Sequence, residues 1–396
     1  MNEQAANLAD RWGIHPDHFW LRGREPEAVV RHDEKTGMWN VYGYRETLEI
    51  LADPETFSSD ATRFFPPEAL MFADGDLTQT DGDSHRKLRK LVVGAFSPKT
   101  VADLEPRIRQ IGGELLDAVD ADRFEMVGDL AYPMPVIVIA ELLGVPVDDR
   151  DLFQDMVLKI LGISAQIEGG VAEIKVDDAE MEAAQAFYGY MGEQTAKRRK
   201  RPREDLLTRL VEAEVDGDRL SDAQVVNFAG LLLAAGFITT TMLLGNTLLC
   251  LDAYPEHAAR VRADRDEVPA VIEESLRFLS PVAMGIRATS SDVDVAGRRI
   301  PKDQLVQVWL SAANRDPRQF DRPHEFDPSR QSNAHLGFGR GVHFCLGAGL
   351  ARLEGRIALN LVLDRFPKLA TDPDDPPTFL ELPAFTGPRT LPLRTR

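Results

Sequence analysis

One cysteine of this chain stands where a sulfur could do chemistry. The segment Phe338-Gly339-Arg340-Gly341-Val342-His343-Phe344-Cys345-Leu346-Gly347-Ala348-Gly349-Leu350-Ala351-Arg352 is a glycine-punctuated loop that delivers Cys345 to the start of a helix. The free N–H groups and the dipole of a helix N-terminus stabilise a thiolate. Gly339, Gly341 and Gly347 let the backbone approach something flat and close. Zinc is disfavoured, because no second Cys or His lies at ligand spacing. An acyl-transfer nucleophile needs a base, for which His343 is a weak candidate. The other cysteine, Cys250, ends an apolar stretch and reads as a buried structural thiol.

Three other clusters could do chemistry. Thr239, Thr240 and Thr241 follow the small residues Ala234, Ala235 and Gly236, so hydroxyls sit just past a thin place in a helix. His85 and Arg89 are four apart and share a helix face. Glu274 and Arg277 are three apart, which makes an ion pair available.

The elements that must position them are mostly helical. Met38 to Tyr42 alternates weakly and reads as a strand, and Tyr44 to Leu51 as a short helix. Residues 57–83 have loop composition, and long ordered loops tend to carry function. Helical periodicity covers 84–96, 101–119 and 136–143, and 151–200 reads as two long polar helices. The basic run Lys197 to Arg203 is expected to be a solvated helix end. Residues 228–251 carry no charge and would be long enough to span a bilayer. The threonines and Asn246 within them favour a buried central helix. Pro269 opens a helix that ends at Ser280-Pro281, and 285–308 reads as a small antiparallel sheet. A turn-rich stretch, 314–333, leads to the cysteine loop. Leu346, Leu350, Leu353, Ile357 and Leu361 then mark a last amphipathic helix, stopped by Pro367.

Composition narrows the function. The chain has 396 residues, 43% apolar, enough for a sizeable core, and no linker or repeat divides it, so one domain over 1–396 is expected. A net charge of -18 argues against nucleic acid or an anionic membrane as partner. Two cysteines make no disulfide framework, and no secretory signal is visible, so a cytoplasmic protein is expected.

The cysteine loop resembles the heme-binding signature of the cytochromes P-450, F-G-x-G-x-H-x-C-x-G-x-x-L-A-R, at every fixed position. The resemblance extends over nearly the whole chain. It implies a mainly α fold with small β-sheets, in which heme b (iron protoporphyrin IX) lies between a long central distal helix and the helix after the cysteine. Cys345 would ligate the iron as thiolate, whose electron donation favours O–O cleavage. Phe338 and Gly347 would pack the ligand loop. His85, Arg89, Arg287 and His343 match the partners of the heme propionates, which need cations or donors when buried. Glu274, Arg277 and Arg330 match a structural triad that supports the loop. Ala313-Asn314-Arg315-Asp316-Pro317 is a stretch common in bacterial members.

On the central helix, Ala235 and Gly236 match the small pair beside bound oxygen, where glycine would let the helix open. Thr239 matches the oxygen-activating threonine, with Thr240 beside it. The chain departs from the family at Ile238, where many relatives carry Asp or Glu. An aliphatic side chain relays no proton. Delivery must then run through Thr239, Thr240, water or a polar group on the substrate, with an acid supplied from elsewhere as the alternative.

The resemblance further implies a monooxygenase acting on an apolar or aromatic organic substrate, by hydroxylation in antibiotic or other secondary-metabolite (polyketide-type) biosynthesis. The substrate could be held on a carrier protein. Alternatives are coupling, epoxidation, peroxide-driven oxidation or heme binding without turnover. Phe64, Phe65, Phe72, Leu233, Phe237, Ala283, Met284 and Phe385 fall where relatives line the pocket. Electrons would come from a ferredoxin and its reductase, which Arg340 and Arg352 could meet unless Arg352 serves structure.

Overall fold

A computed structural model describes every residue except 1–7, 65–72, 120–122, 150–151, 154–155, 158–177, 216–217 and 396. It is mainly helical with small sheets, as expected. Most of the first polar helix expected over 151–200 lies outside the described residues, as do Phe65 and Phe72. The second is the helix Asp178–Lys200.

The central helix runs from Asp222 to Ala253, longer at both ends than its uncharged stretch. The extension at its start has a local cause. The Ser221 side chain accepts from the Gln224 N–H, while the Gln224 side chain accepts from the Ser221 N–H, satisfying two donors that the first turn would leave free. At the far end, Pro255 cannot continue the helix. The helix is long and apolar enough to cross a membrane, but most of that apolar stretch is buried inside the protein. It packs against helices Pro133–Leu143, Asp178–Lys200, Val268–Phe278 and Ala348–Arg365. Core burial on all sides accounts for its composition.

Gly236 shows how close one of these approaches is. A Cβ there would lie 2.6 Å from the Ile139 side chain on helix Pro133–Leu143. Expected as a place where the helix opens, this glycine sits in unbroken helix and admits a neighbour. The hydroxyls of Thr239 and Thr241 bond back to the carbonyls of Ala235 and Phe237, at 3.2 and 2.9 Å. Such back-bonding bends a helix without breaking it.

The main sheet differs from the expected local antiparallel one. Gly285–Thr289 and Leu305–Val308 do pair antiparallel. The other edge of Leu305–Val308, however, pairs parallel with Met38–Val41, which in turn pairs with Val30–Asp33. Phe57–Ser58 completes five strands. Periodicity reports a strand's faces and says nothing of its distant partner.

The basic run also departs from a purely solvated end. Arg198 is buried, donates to Asp205 Oδ2 at 2.6 Å and also to the Gly144 carbonyl. It ties helix Asp178–Lys200 to the start of helix Leu206–Glu212. Its neighbours Lys197 and Arg201 are exposed.

Candidate active site

A cavity of about 380 Å³ lies between the central helix and the start of helix Ala348–Arg365. Cys345 is on its wall, with Phe338, Gly339, His343, Phe344 and Gly347 of the same loop. Ala235, Gly236, Thr239 and Thr240 line it from the central helix. Sulfur and hydroxyls thus share one chamber, as expected.

The loop is held from several sides. Cys345 N–H donates to the Phe338 carbonyl at 2.9 Å, closing the hairpin. Burial pushes the thiol up, while backbone N–H groups of Gly347 and Ala348 and the cations Arg89 and Arg352 favour the thiolate. Gly341 has a φ of 73°, and a Cβ there would collide with the Leu51 carbonyl. Arg352 stacks over the Phe338 ring, 4.6 Å from its centroid, and forks onto Glu273 at 2.6 and 2.8 Å. Burial raises the Glu273 pKa, but bonds from Arg352 and His335 outweigh it and hold it down. Arg352 therefore serves structure, which removes it as a free cation for a partner. Arg340 is exposed at the cavity rim.

Behind the loop, Glu274 and Arg277 are completely buried. Arg277 Nη2 and Nε donate to the two Glu274 oxygens at 2.7 and 2.8 Å. Arg330 Nε, Asp327 N–H and Asn333 Nδ2 also donate to Glu274, at 3.1, 2.8 and 3.1 Å. Arg277 in turn donates to the carbonyls of Asn314, Pro323 and Glu325. The three residues singled out in the sequence do meet. Together they pin the turn-rich stretch to helix Val268–Phe278.

The cationic groups gather beside the cavity. Arg89 and Arg287 are on its wall, and Arg89 Nη2 donates to the Phe344 carbonyl at 2.7 Å. Arg287 bonds only its neighbour's carbonyl, Ile286 O, at 2.7 Å, and no carboxylate among the described residues closes on it. Burial lowers its pKa. The His85 and His343 rings lie 4.3 Å apart. His85 is buried, its Nε2 makes no hydrogen bond, and burial followed by the charges of His343 and Arg89 lowers its pKa to about 4. His343 Nε2 donates to Asp81 Oδ1 at 2.8 Å. Burial works against ionising Asp81, yet bonds from His343, Ser58 and Ser59 bring its pKa down to about 2. A half-buried guanidinium and a buried imidazole, neither hydrogen-bonded to a carboxylate among the described residues, suit the carboxylates of the heme implied by the loop. The residues present fit that group.

The expected substrate-facing residues divide. Met284 lines the cavity. Leu233 and Phe237 do not; both are core residues, and Phe237 packs edge-on against Tyr132. Ala283 is fully buried off the wall, and Phe385 pairs with Val282 in an isolated bridge. Phe64 packs with Met38, Ala61, Ala288 and Leu305 in a separate cluster. The reason for the helical misses is angular. Ala235 and Thr239 fix the cavity face, so Leu231, Leu232 and Leu243 share it, whereas Leu233 and Phe237 point elsewhere. That spacing was a signal in the sequence. Of the other walls missed, Leu77, Phe96 and Ile139 come from distant segments and had none, whereas Val282 adjoins the expected Ala283 and Met284.

The chain is similar to known proteins over nearly its whole length. The family model for Cytochrome P450 matches residues 11–392. The cyclomarin C epoxidase CymV of Salinispora arenicola is 41% identical over 380 residues, 94% of each chain. The erythromycin C-12 hydroxylase of Saccharopolyspora erythraea is 42% identical, over 90% of this chain and 88% of that one. Among solved structures, a post-tailoring hydroxylase, HmtN, involved in himastatin biosynthesis superposes with a TM-score of 0.88 at 55% identity, covering 98% of this chain and 99% of that one.

Proposed function

Since the chain belongs to the cytochrome P450 family, we propose that it hydroxylates an apolar or aromatic secondary metabolite with Cys345 as the proximal thiolate ligand. It is a heme-dependent monooxygenase of the secondary-metabolite tailoring type. The observation that carries the site assignment is the single chamber shared by Cys345, Thr239 and Thr240. Bound heme b supplies the oxidative chemistry: with two electrons and two protons, one atom of dioxygen enters the substrate and the other leaves as water.

The protein's own residues do the rest. Cys345 would hold the iron as thiolate, and the N–H groups of Gly347 and Ala348 would temper its sulfur. Arg89, Arg287, His85 and His343 would hold the two propionates. Phe338 shields the sulfur side, and Glu274, Arg277 and Arg330 keep the loop in register. Leu231, Leu232, Leu77, Val282 and Met284 exclude water and orient an apolar substrate. Thr239 and Thr240 hold or hand on a proton at Oγ1. Electrons arrive from a ferredoxin and its reductase. The whole chain acts as one catalytic domain, on a free or carrier-bound substrate. Epoxidation is the second reading, favoured by the likeness to the cyclomarin C epoxidase.

The test is the reduced, carbon monoxide-treated holoprotein. A thiolate-type Soret band is expected, and Cys345→Ala should abolish it. A band that survives that change, or is absent from the parent protein, overturns the assignment. A panel of organic compounds scored by the high-spin shift of the heme band then identifies the substrate class.

A further inference from the structure

One polar side chain on the chamber wall has no part in the site described above. The cations and His343 belong to the heme carboxylates or the rim, Cys345 to the iron, and Thr239 and Thr240 to proton handling on the central helix. Thr78 is left over. It lines the chamber beside Leu77 and is exposed. The short helical turn Leu77–Gln79 that carries it is capped by Asp76. Asp76 Oδ1 accepts from the Thr78 N–H at 2.7 Å and from Thr78 Oγ1 at 2.6 Å. The carboxylate is fixed in turn: its Oδ2 accepts from Gln79 Nε2 at 3.2 Å, and Thr80 Oγ1 donates to the Asp76 carbonyl at 2.6 Å. Burial raises the Asp76 pKa against the pull of the donors from Thr78 and Gln79. A hydroxyl has one hydrogen and two lone pairs. With the Thr78 hydrogen aimed at Asp76, only lone pairs are left for the chamber.

This turn is fastened to the central helix. Asn227 Nδ2 donates to the Asp74 carbonyl at 2.7 Å, and Gln224 Nε2 to Asp74 Oδ1 at 3.1 Å. Gly75 has a φ of 90° and approaches so closely that a Cβ there would stand 2.8 Å from the Gln224 backbone. Asn227 lies one turn before Leu231, which is on the chamber wall with Leu232. Thr78 therefore meets the chamber in a set position, with little ordering left to do on binding. Its neighbours on the wall are apolar, so an acceptor left unmatched under a bound ligand is costly.

We propose that Thr78 Oγ1 is a specificity-determining acceptor, by which this chamber selects apolar or aromatic substrates that carry an N–H or O–H donor, such as an indole, amide or phenol. Asp76 is the positioning residue behind it. A ketone, ester or ether oxygen at the same place would set lone pairs against lone pairs and leave both acceptors unpaired. The N- or O-methylated form of a donor-bearing compound loses the bond in the same way. The inference rests on the reading of the chamber as the substrate site and names the substrate class of that site.

Matched ligand pairs test it: indole with 1-methylindole, and 2-naphthol with 2-methoxynaphthalene. Each is titrated into the holoprotein by calorimetry and by the shift of the heme band. The donor-bearing member of each pair should bind about tenfold tighter, as one buried hydrogen bond gives. Thr78→Val keeps the shape and removes the acceptor, so the two members should then bind within about twofold of each other. Thr78→Ser should keep the preference. Asp76→Ala frees the hydroxyl to turn its hydrogen into the chamber, and the preference should fall below about threefold. If Asp76→Ala disturbs the fold, the two Thr78 variants decide alone. A side chain that only shaped the wall would move both members alike and leave their ratio unchanged. Equal affinities within each pair in the parent protein, undetectable binding included, overturn the proposal, as does a preference that survives Thr78→Val. These ratios are measured without turnover, and the carbon monoxide spectrum reads the thiolate separately. A parent protein with the thiolate band and no preference within the pairs therefore refutes this proposal alone.

Discussion

Removing the Glu274 carboxylate is expected to damage the protein well beyond what one side chain suggests. Five donor contacts converge on that group, from Arg277, Arg330, Asp327 and Asn333. Arg277 is completely buried and Arg330 nearly so. Without the carboxylate, two guanidinium groups keep their carbonyl partners and lose their counter-charge. Breaking a buried pair from one side costs about 3–5 kcal/mol, largely because the remaining charge is stranded. Unfolding entropies of about 2.1 cal/mol/K per residue, applied to 396 residues, convert that loss to a Tm drop of roughly 4–6 °C. Replacing both members, as Glu274→Leu with Arg277→Met, should cost less than the sum of the single changes, since no buried charge is left unpaired between them. Thermal melting of the parent, the two single variants and the double variant gives the coupling directly. The thiolate Soret band with carbon monoxide should weaken alongside stability, because the same contacts pin residues 314–330 ahead of the Cys345 loop. Strict additivity of the two changes, or a loss below about 1 kcal/mol for Glu274→Gln, would show that the network is not electrostatically coupled.

Three further outcomes follow from particular contacts. Glu354 keeps its proton in the folded chain up to about pH 8, while its ordinary value is 4.5, so the unfolded chain releases that proton first. Stability from this group therefore declines as pH rises from 4.5 to 8, by at most about 1.4 kcal/mol per pH unit, and is flat above. Urea midpoints of Glu354→Leu should lack that decline; an unchanged slope refutes the burial reading. Gly236→Val should force apart the central helix and Ile139 at a cost of about 1–3 kcal/mol, partly relieved by Ile139→Ala, as read by denaturant midpoints. Arg287→Leu should release heme roughly ten- to hundredfold faster, as befits loss of a charged hydrogen bond of about 1.5–3 kcal/mol, while the heme-free protein stays as stable as the parent. Transfer of heme to a scavenging apoprotein measures the first, and melting of the stripped protein the second.

Chemistry written in contiguous residues was legible in advance. The Cys345 loop is local: its glycines, its sulfur and the start of the helix that follows lie within fifteen residues, and the folded loop is what that string suggests. The central helix was equally plain, because a long uncharged stretch must be buried all round. Reading failed where a residue's meaning depends on the opposite side of the fold. Glu354 falls inside the apolar stripe of Leu350 and Ile357, and the significance of an acid there shows only once the helix packs against the central helix and buries it. Whether Arg352 faces a partner or serves structure is open in the sequence, and Glu273, 79 positions away, decides for structure by holding it. Leu233 and Phe237 were misplaced by a rotation about the helix axis, an error that the Ala235–Thr239 spacing could have corrected.

The parallel pairing of Met38–Val41 with Leu305–Val308 has a consequence for biosynthesis. The ribosome releases the first of these strands long before the second exists. At about 5–20 residues per second, the interval is on the order of tens of seconds. Throughout it the early hairpin presents a bare backbone edge with hydrophobic neighbours, a template for pairing with other nascent chains. Such an edge gives this protein a window in which chaperone supply and translation speed set the yield of folded molecules.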